Sequence, residues 1–410
     1  MSFDVGRIRQ DFPILGSMVR GKPLVFLDSG ASAQKPRAVV QAMVRSMEER
    51  YANVHRGAYQ LSETATADYE AARVAVAHFL NAADPREVIF TGNSTAAINL
   101  VAHSWGRGVM RPGQAVLISE LEHHANIIPW QMLRDDGRGI ELRVCRVTDA
   151  GELDMNDFAA KLADGKVGLV AIAHMSNVLG TVMPVERIVA MAHAAGAKVL
   201  FDGSQAVVHR QVDMQALGAD FYVFTGHKLY GPTGIGVLWA RLEHQDRMPP
   251  FLGGGDMIAS VSFEKTTYNT LPFKFEAGTP PIMAAIALGE ALDYLRGIGL
   301  ETIARREHEL LSYATEGVSK IKGIRIIGTA ERKAAVLSMV MDGIHPHDLG
   351  TLLNEDGVAI RTGHHCAQPV MTRYRIPATA RASFAFYNTF DEVDALVASL
   401  ERAKTVFGVD

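Results

Sequence analysis

The chain reads as an α/β protein: a large domain on a mostly parallel sheet with helices on both faces, then a smaller α/β C-terminal domain. Three observations predict this. Between about residues 87 and 240, short β-prone apolar runs alternate with helical stretches, the rhythm of strand–helix–strand units in a parallel sheet. At 410 residues the chain is too long for one small core. Two of the apolar runs, 198–201 and 221–224, end on residues with chemistry in them. The first meets Asp202, with Gln205 just beyond; the second meets Thr225-Gly226-His227-Lys228 and a glycine-rich stretch that cannot continue a strand.

Composition narrows the function. Hydrophobic content of 48% and charged content of 21% are those of an ordinary globular protein. A net charge of −4 and the lack of any basic run give no reason to expect nucleic acid. Two cysteines exclude a disulfide framework and fit a reducing compartment. Asp4, Arg7, Arg9 and Asp11 occupy the place of a secretory apolar core, and no stretch approaches the ~18 apolar residues of a membrane span. A cytoplasmic protein that does not enter the membrane is expected. No metal site is expected either, because His364-His365-Cys366 are adjacent and His345 and His347 are the only companions.

In chain order, residues 1–20 form a short amphipathic arm with Val5, Ile8, Phe12 and Ile14 on one face, packing on the small domain or a partner subunit. PLVFLDSGASAQKPRAVVQAM is a strand, a small-residue turn and a helix opening near Pro36; Gly30 allows close backbone approach, as would any plain strand–helix turn. Residues 53–80 pass from a loop containing His55 into an alanine-rich helix. Residues 87–106 run strand, turn, helix. Ser94 and Thr95 open that helix, where they either cap it or hold a phosphate at its positive end. A strand from 115 leads to His123-His124-Ala125-Asn126, and a flat imidazole there can stack on an aromatic ring. Cys145 alternates into a strand face as a buried thiol. Asn177 lies on the loop of a further strand–loop–helix unit. From 241 to 280 regularity falls away, and Thr279 sits in a proline-bounded segment that reads as a linker. A long helical stretch, 283–320, joins this to the remainder. The expected organisation is an arm (1–20), a large domain (21–282), and a linking helix with the small domain (283–410) that carries the Cys366 loop.

Ligands of parallel α/β sheets sit beyond the carboxyl ends of the strands, so Asp202 and Lys228 should face one crevice. An acid and a lysine there suit pyridoxal phosphate, which needs a protonated ring nitrogen and an imine-forming amine. A second chemical centre spans 357–389. Cys366 lies on a polar, turn-prone loop, where a reactive thiol can meet substrate. Arg361 and Arg381 flank it and can grip an amino-acid carboxylate through planar guanidinium groups.

The segments DGSQAVVHR and TGHKLYGPTGIGVLW resemble the cofactor region of class V, fold-type I pyridoxal-phosphate enzymes. RTGHHCAQP resembles the cysteine loop of group II, SUF-type cysteine desulfurases, and the likeness runs from about residue 20 to 395. Thr225 stands where that family often has serine, and Ser204 where alanine is common. The resemblance implies a fold-type I pyridoxal-phosphate-dependent transferase acting as a homodimer. Lys228 would carry the cofactor, Asp202 its ring nitrogen, Gln205 its phenolic oxygen, with His123 stacked on the ring. Ser94, Thr95, Thr225 and His227 would hold the phosphate, helped by Thr279 from the neighbouring subunit. Asn177 would reach the cofactor's phenolic oxygen or the substrate carboxylate. Arg381 and Arg361 would hold that carboxylate, with His55 and Gly30 beside it. Cys366 would take sulfur from L-cysteine as a persulfide, releasing alanine, and pass it to a SUF sulfur-acceptor protein for iron–sulfur cluster assembly. A selenocysteine lyase or cysteine-sulfinate desulfinase would use the same site without needing Cys366.

Overall fold

The structure, a computed structural model, describes residues 3–409. Its largest sheet has seven strands: β1 (Val88–Thr91), β2 (Ala115–Ser119), β3 (Glu141–Cys145), β4 (Val167–Ala173), β5 (Lys198–Asp202), β6 (Phe221–Thr225) and β7 (Gly236–Ala240). Their order across the sheet is β1-β7-β6-β5-β4-β2-β3. β2 to β6 pair in parallel, while β7 runs antiparallel to both β6 and β1. β1 therefore points with the parallel strands, and Thr91, Ser119, Ala173, Asp202 and Thr225 all end at one edge.

The central strands are buried along their length. Val199, Leu200 and Phe201 of β5 and Phe221 to Phe224 of β6 have no exposed surface, as helices on both faces require. Continuous apolar runs, rather than alternating ones, are the sequence mark of that double burial. The turn after Asp202 needs its glycine: a Cβ on Gly203 would lie 2.1 Å from the Tyr222 ring. At the opposite side of the edge, Asn93 caps the helix Ser94–Val101 by accepting the Ala96 N–H at 2.9 Å. That helix can lie against β7 only because residue 236 is glycine, where a Cβ would meet the Asn93 backbone at 2.3 Å.

A second sheet of four antiparallel strands takes the order Ile324–Ile327, Val336–Met341, Thr379–Ser383, Arg361–Gly363. Leu310, Ala314 and Val318 of helix Leu300–Ser319, and Leu396 and Leu400 of helix Phe390–Phe407, pack on Leu337 and Met339 in one core. Val25 and Leu27 belong to this core too, since Val25–Phe26 pairs in parallel with Val358–Ala359.

Two elements differ from expectation. The helical stretch 283–320 is two helices, Ile282–Ile298 and Leu300–Ser319, parted at Gly299 with φ +92°. The first packs on helices Gln60–Phe79 and Arg37–Glu48; the second joins the C-terminal core. Within 241–280 a hairpin forms, Ile258–Val261 with Thr266–Tyr268. Exposed on nearly every residue, it carries no buried face to print a period of two. The arm contains a helix, Val5–Gln10, and wedges Phe12 among the rings of Tyr230, Tyr294, Phe386 and Tyr387. No helix among the described residues is long and apolar enough to cross a membrane.

Candidate active site

β5 and β6 deliver Asp202 and Lys228 to the same sheet edge. Asp202 accepts the Ser204 N–H at 3.0 Å, which fixes its carboxylate in the turn. Lys228 is only partly exposed, and burial brings its amine down to about 8; Arg381 and Arg361 push the same way, against Asp202 and Cys366. No hydrogen bond to its Nζ is made among the described residues. His123 stands within the field of both groups, and burial, followed by Lys228, lowers its ring to about 4. It is therefore neutral near pH 7. Its Nδ1 accepts the Ala125 N–H at 3.1 Å, leaving Nε2 to carry the proton.

The small domain closes the crevice with arginines. Arg361 and Arg381 are register partners on antiparallel strands. Arg381 is 2% exposed, donates to the Asn177 carbonyl at 2.8 Å, and leaves Nε without a partner among the described residues. Both guanidinium groups reach Asp28. Gly30 lies against Ser383, whose Oγ accepts the Gly30 N–H at 2.8 Å, and Gln205 donates its amide to the Gly30 carbonyl at 2.7 Å. The segment 28–30 thus ties the two sheets together at the crevice.

Cys366 is exposed, on a loop where His365 and Cys366 both adopt positive φ, +52° and +55°. The loop is held at its carbonyls. Asn177 donates to the His365 carbonyl at 2.7 Å, and the His124 N–H to that of Cys366 at 2.6 Å. Cys145 is fully buried, and burial raises its thiol well above the usual range. It has no reactive character.

At the other flank of Lys228, Ser94 and Thr95 begin their helix beside the Thr91, Gly236 and Thr225 row. The Thr225 hydroxyl makes one long contact, 3.5 Å, to the Ile235 carbonyl. Lys35 fixes the backbone two residues further on by donating to the His227 carbonyl at 2.7 Å. Two expected residues stand apart within the chain. His55 lies 3.1 Å from Glu70 and against Tyr69 and Phe273, lining a cavity of about 260 Å³ with Asp256 and Glu276. Thr279 lines another with Thr91, Ala96 and Gly234.

Three residues at the site escaped the sequence reading. Asp28 ends an apolar run just as Asp202 does, and that parallel was the available signal. Glu122 is fully buried, with Oε2 accepting from Asn126 Nδ2 at 2.6 Å and the Ala173 N–H at 2.8 Å; burial raises its carboxyl to about 8. His124 carries no signal in the sequence beyond its place next to His123.

The aminotransferase class-V family matches residues 25–396, and the chain belongs to it. A cysteine desulfurase of Yersinia pseudotuberculosis serotype O:1b is 49% identical over 409 residues, spanning the whole of both chains. One from Synechococcus elongatus is 48% identical over 99% of this chain, which spans 64% of that longer protein. Among solved structures, a cysteine desulfurase of Escherichia coli superposes with a TM-score of 0.91 at 38% identity, over 99% of this chain and all of that one. The apo form of one from Thermococcus onnurineus gives 0.93 at 36% identity, over 99% of each. Within the class-V family, the chain is a member of the cysteine desulfurases.

These enzymes depend on pyridoxal phosphate, and the crevice fits it. The Lys228 amine is partly desolvated and has no hydrogen bond among the described residues, Asp202 is buried on the same edge, and an eight-residue helix begins beside a lightly engaged Thr225 hydroxyl.

Proposed function

We propose that the chain converts L-cysteine to L-alanine and that Cys366 accepts the sulfur as a persulfide. The observation that carries this reading is the exposed Cys366 thiol on the crevice that Lys228 and the buried Arg381 also face. In this reading Lys228 anchors the cofactor and moves the proton at the substrate α-carbon. Asp202 would keep the cofactor's ring nitrogen protonated, His123 would support the ring, and Gln205 would hydrogen-bond its phenolic oxygen. Ser94, Thr95, Thr225 and His227 hold the phosphate, with Thr279 reaching it from a second copy of the chain in a homodimer. Arg381 and Arg361 hold the substrate carboxylate, aided by Asn177, with Gly30 beside it. When bound, pyridoxal phosphate supplies an electron-accepting ring that stabilises negative charge at the α-carbon.

The Cys366 thiolate then attacks the substrate sulfur. The S–S bond forms as the C–S bond breaks, the bonding pair leaves with carbon, and a proton completes alanine. The exchange balances as two thiols giving one persulfide and one alanine, with no external oxidant. A persulfide on an exposed loop suits handover, so the reading extends to a SUF-type, group II enzyme that serves a sulfur-acceptor protein of iron–sulfur cluster assembly in the cytoplasm. The gathering of Leu310, Leu337 and Leu396 into one core, joined by Val25 and Leu27, supports a small domain that lies within 283–410 beyond the helix Ile282–Ile298.

The test is one incubation of the purified holoenzyme with L-cysteine. Alanine should appear, and mass spectrometry should find about 32 Da, one sulfur atom, on the peptide containing Cys366. Alanine without that added mass on the thiol would overturn the persulfide step.

A further inference from the structure

The loop bearing Cys366 is strained and yet lies at the start of a helix that lacks its own cap. Two consecutive non-glycine residues, His365 and Cys366, hold left-handed backbone angles, a conformation that persists only when the surroundings impose it. The helix Gln368–Tyr374 follows, and its N-cap position, Ala367, has no side chain able to accept from the first-turn N–H groups. The missing acceptor comes from another element. His124 Nε2 accepts the Gln368 N–H at 3.1 Å, while the backbone N–H of His124 reaches the Cys366 carbonyl at 2.6 Å. One residue thus grips the chain at two points immediately after the sulfur-bearing Cα.

We propose that His124 is the positioning residue for Cys366: its imidazole caps the helix that follows the thiol and locks the left-handed turn that presents it. The adjacent His123 belongs to the cofactor side, in the field of Lys228 and Asp202. A single peptide bond therefore joins the group that faces the cofactor to the group that holds the nucleophile. The Ser119–Glu122–Asn126 network beneath keeps that peptide in place. The capping role requires a ring with a free lone pair on Nε2. Burial and the nearby His364 lower the tendency of His124 to take a second proton, which keeps that lone pair available.

This inference rests on the reading of Cys366 as sulfur acceptor. Its test compares His124→Ala and His124→Gln holoenzymes, since the Gln Oε1 can stand where Nε2 accepts and Ala cannot. His124→Ala should lower kcat for alanine formation from L-cysteine about tenfold, the scale of a lost helix cap, with KM nearly unmoved because Arg381 is intact. His124→Gln should recover most of that loss. Selenium release from selenocysteine, which does not need the thiol, and cofactor absorbance should stay within about twofold of wild type. The rate at which iodoacetamide alkylates Cys366, read from its peptide mass, should change in His124→Ala and return in His124→Gln. An unaltered kcat and alkylation rate in His124→Ala would overturn the proposal, as would an equal loss of selenocysteine turnover, or Gln no better than Ala. If Cys366 accepts no sulfur at all, the alkylation rate still decides whether His124 holds the loop.

Discussion

Arg361 and Arg381 face each other across two antiparallel strands, and both are anchored to one carboxylate, Asp28, at 3.1 and 3.2 Å. Two positive charges share one negative partner, so the pair retains a net positive charge, as the proposed carboxylate cradle requires. Asp28 also keeps the two guanidinium groups from repelling each other when no substrate is bound.

Arg381→Ala should therefore raise KM for L-cysteine strongly. The lost contact is a charge-assisted one in a desolvated place, on the order of 2–4 kcal/mol. Arg381→Lys should recover only part of it, because an ammonium lacks the planar fork. Steady-state kinetics checks both variants; an unmoved KM would place carboxylate binding on Arg361 alone.

Lys228→Met should abolish the visible absorbance of bound cofactor. It should also alter the pH dependence of stability in cofactor-free protein. The folded amine titrates at about 8 because it is buried, against ~10.4 when unfolded. Between those values the unfolded chain binds more protons, so stability rises with pH across the window. Lys228→Met should remove that rise, at most a few kcal/mol after solvent screening. Urea unfolding of both proteins at intervals from pH 8 to 10.5 measures it.

Cys366→Ala should fold and bind cofactor yet produce no alanine from L-cysteine. Selenocysteine should still be turned over, because a selenol ionises more readily and its bond to carbon is weaker, so it departs without a thiolate to receive it. Cys145 should gain no sulfur in wild type, being fully buried with its thiol held protonated. Undiminished alanine formation by the variant would return the selenocysteine lyase reading to the front.

Glu122→Gln should match wild type below about pH 4.3 and be the more stable protein at pH 7, because burial holds the folded carboxyl at about 8 and wild type must take up a proton to fold, which an amide need not. An amide oxygen can accept from Asn126 and Ala173 as the acid does, with the amide N–H turned to Ser119. Glu122→Ala leaves those buried donors unpaired and should cost about 2–4 kcal/mol. A raised acid pKa stabilises fully below the unfolded value of ~4.3 and loses that contribution as pH climbs to 8. Denaturation of the Gln variant should show a flatter profile over that interval.

How far the sequence disclosed this site depended on the range of the interaction. Asp202 and Lys228 were legible because each terminates an apolar run, and parallel strands bring such ends together. Cys366 was legible because its loop is polar and turn-prone. Asp28 was not assigned, since its partners lie 333 and 353 residues away and no local pattern joins them. His124 was missed for a related reason: a cap supplied by another element leaves no trace beside the helix it caps. The break at Gly299 was hidden by helical composition on both sides, although glycine at φ +92° ends a helix by itself.

The tie between Asp28 and Arg381 also sets a clock during synthesis. Those residues are 353 apart in the chain, and translation at ~5–20 residues per second places about 20–70 s between their appearances. The seven-stranded sheet has every residue it needs long before the arginine strands emerge. The cofactor pocket can thus mature on the ribosome while the thiol loop is still unmade. On the proposed reading of Cys366, a chain stalled before residue 366 carries a folded sheet but no thiol to receive sulfur.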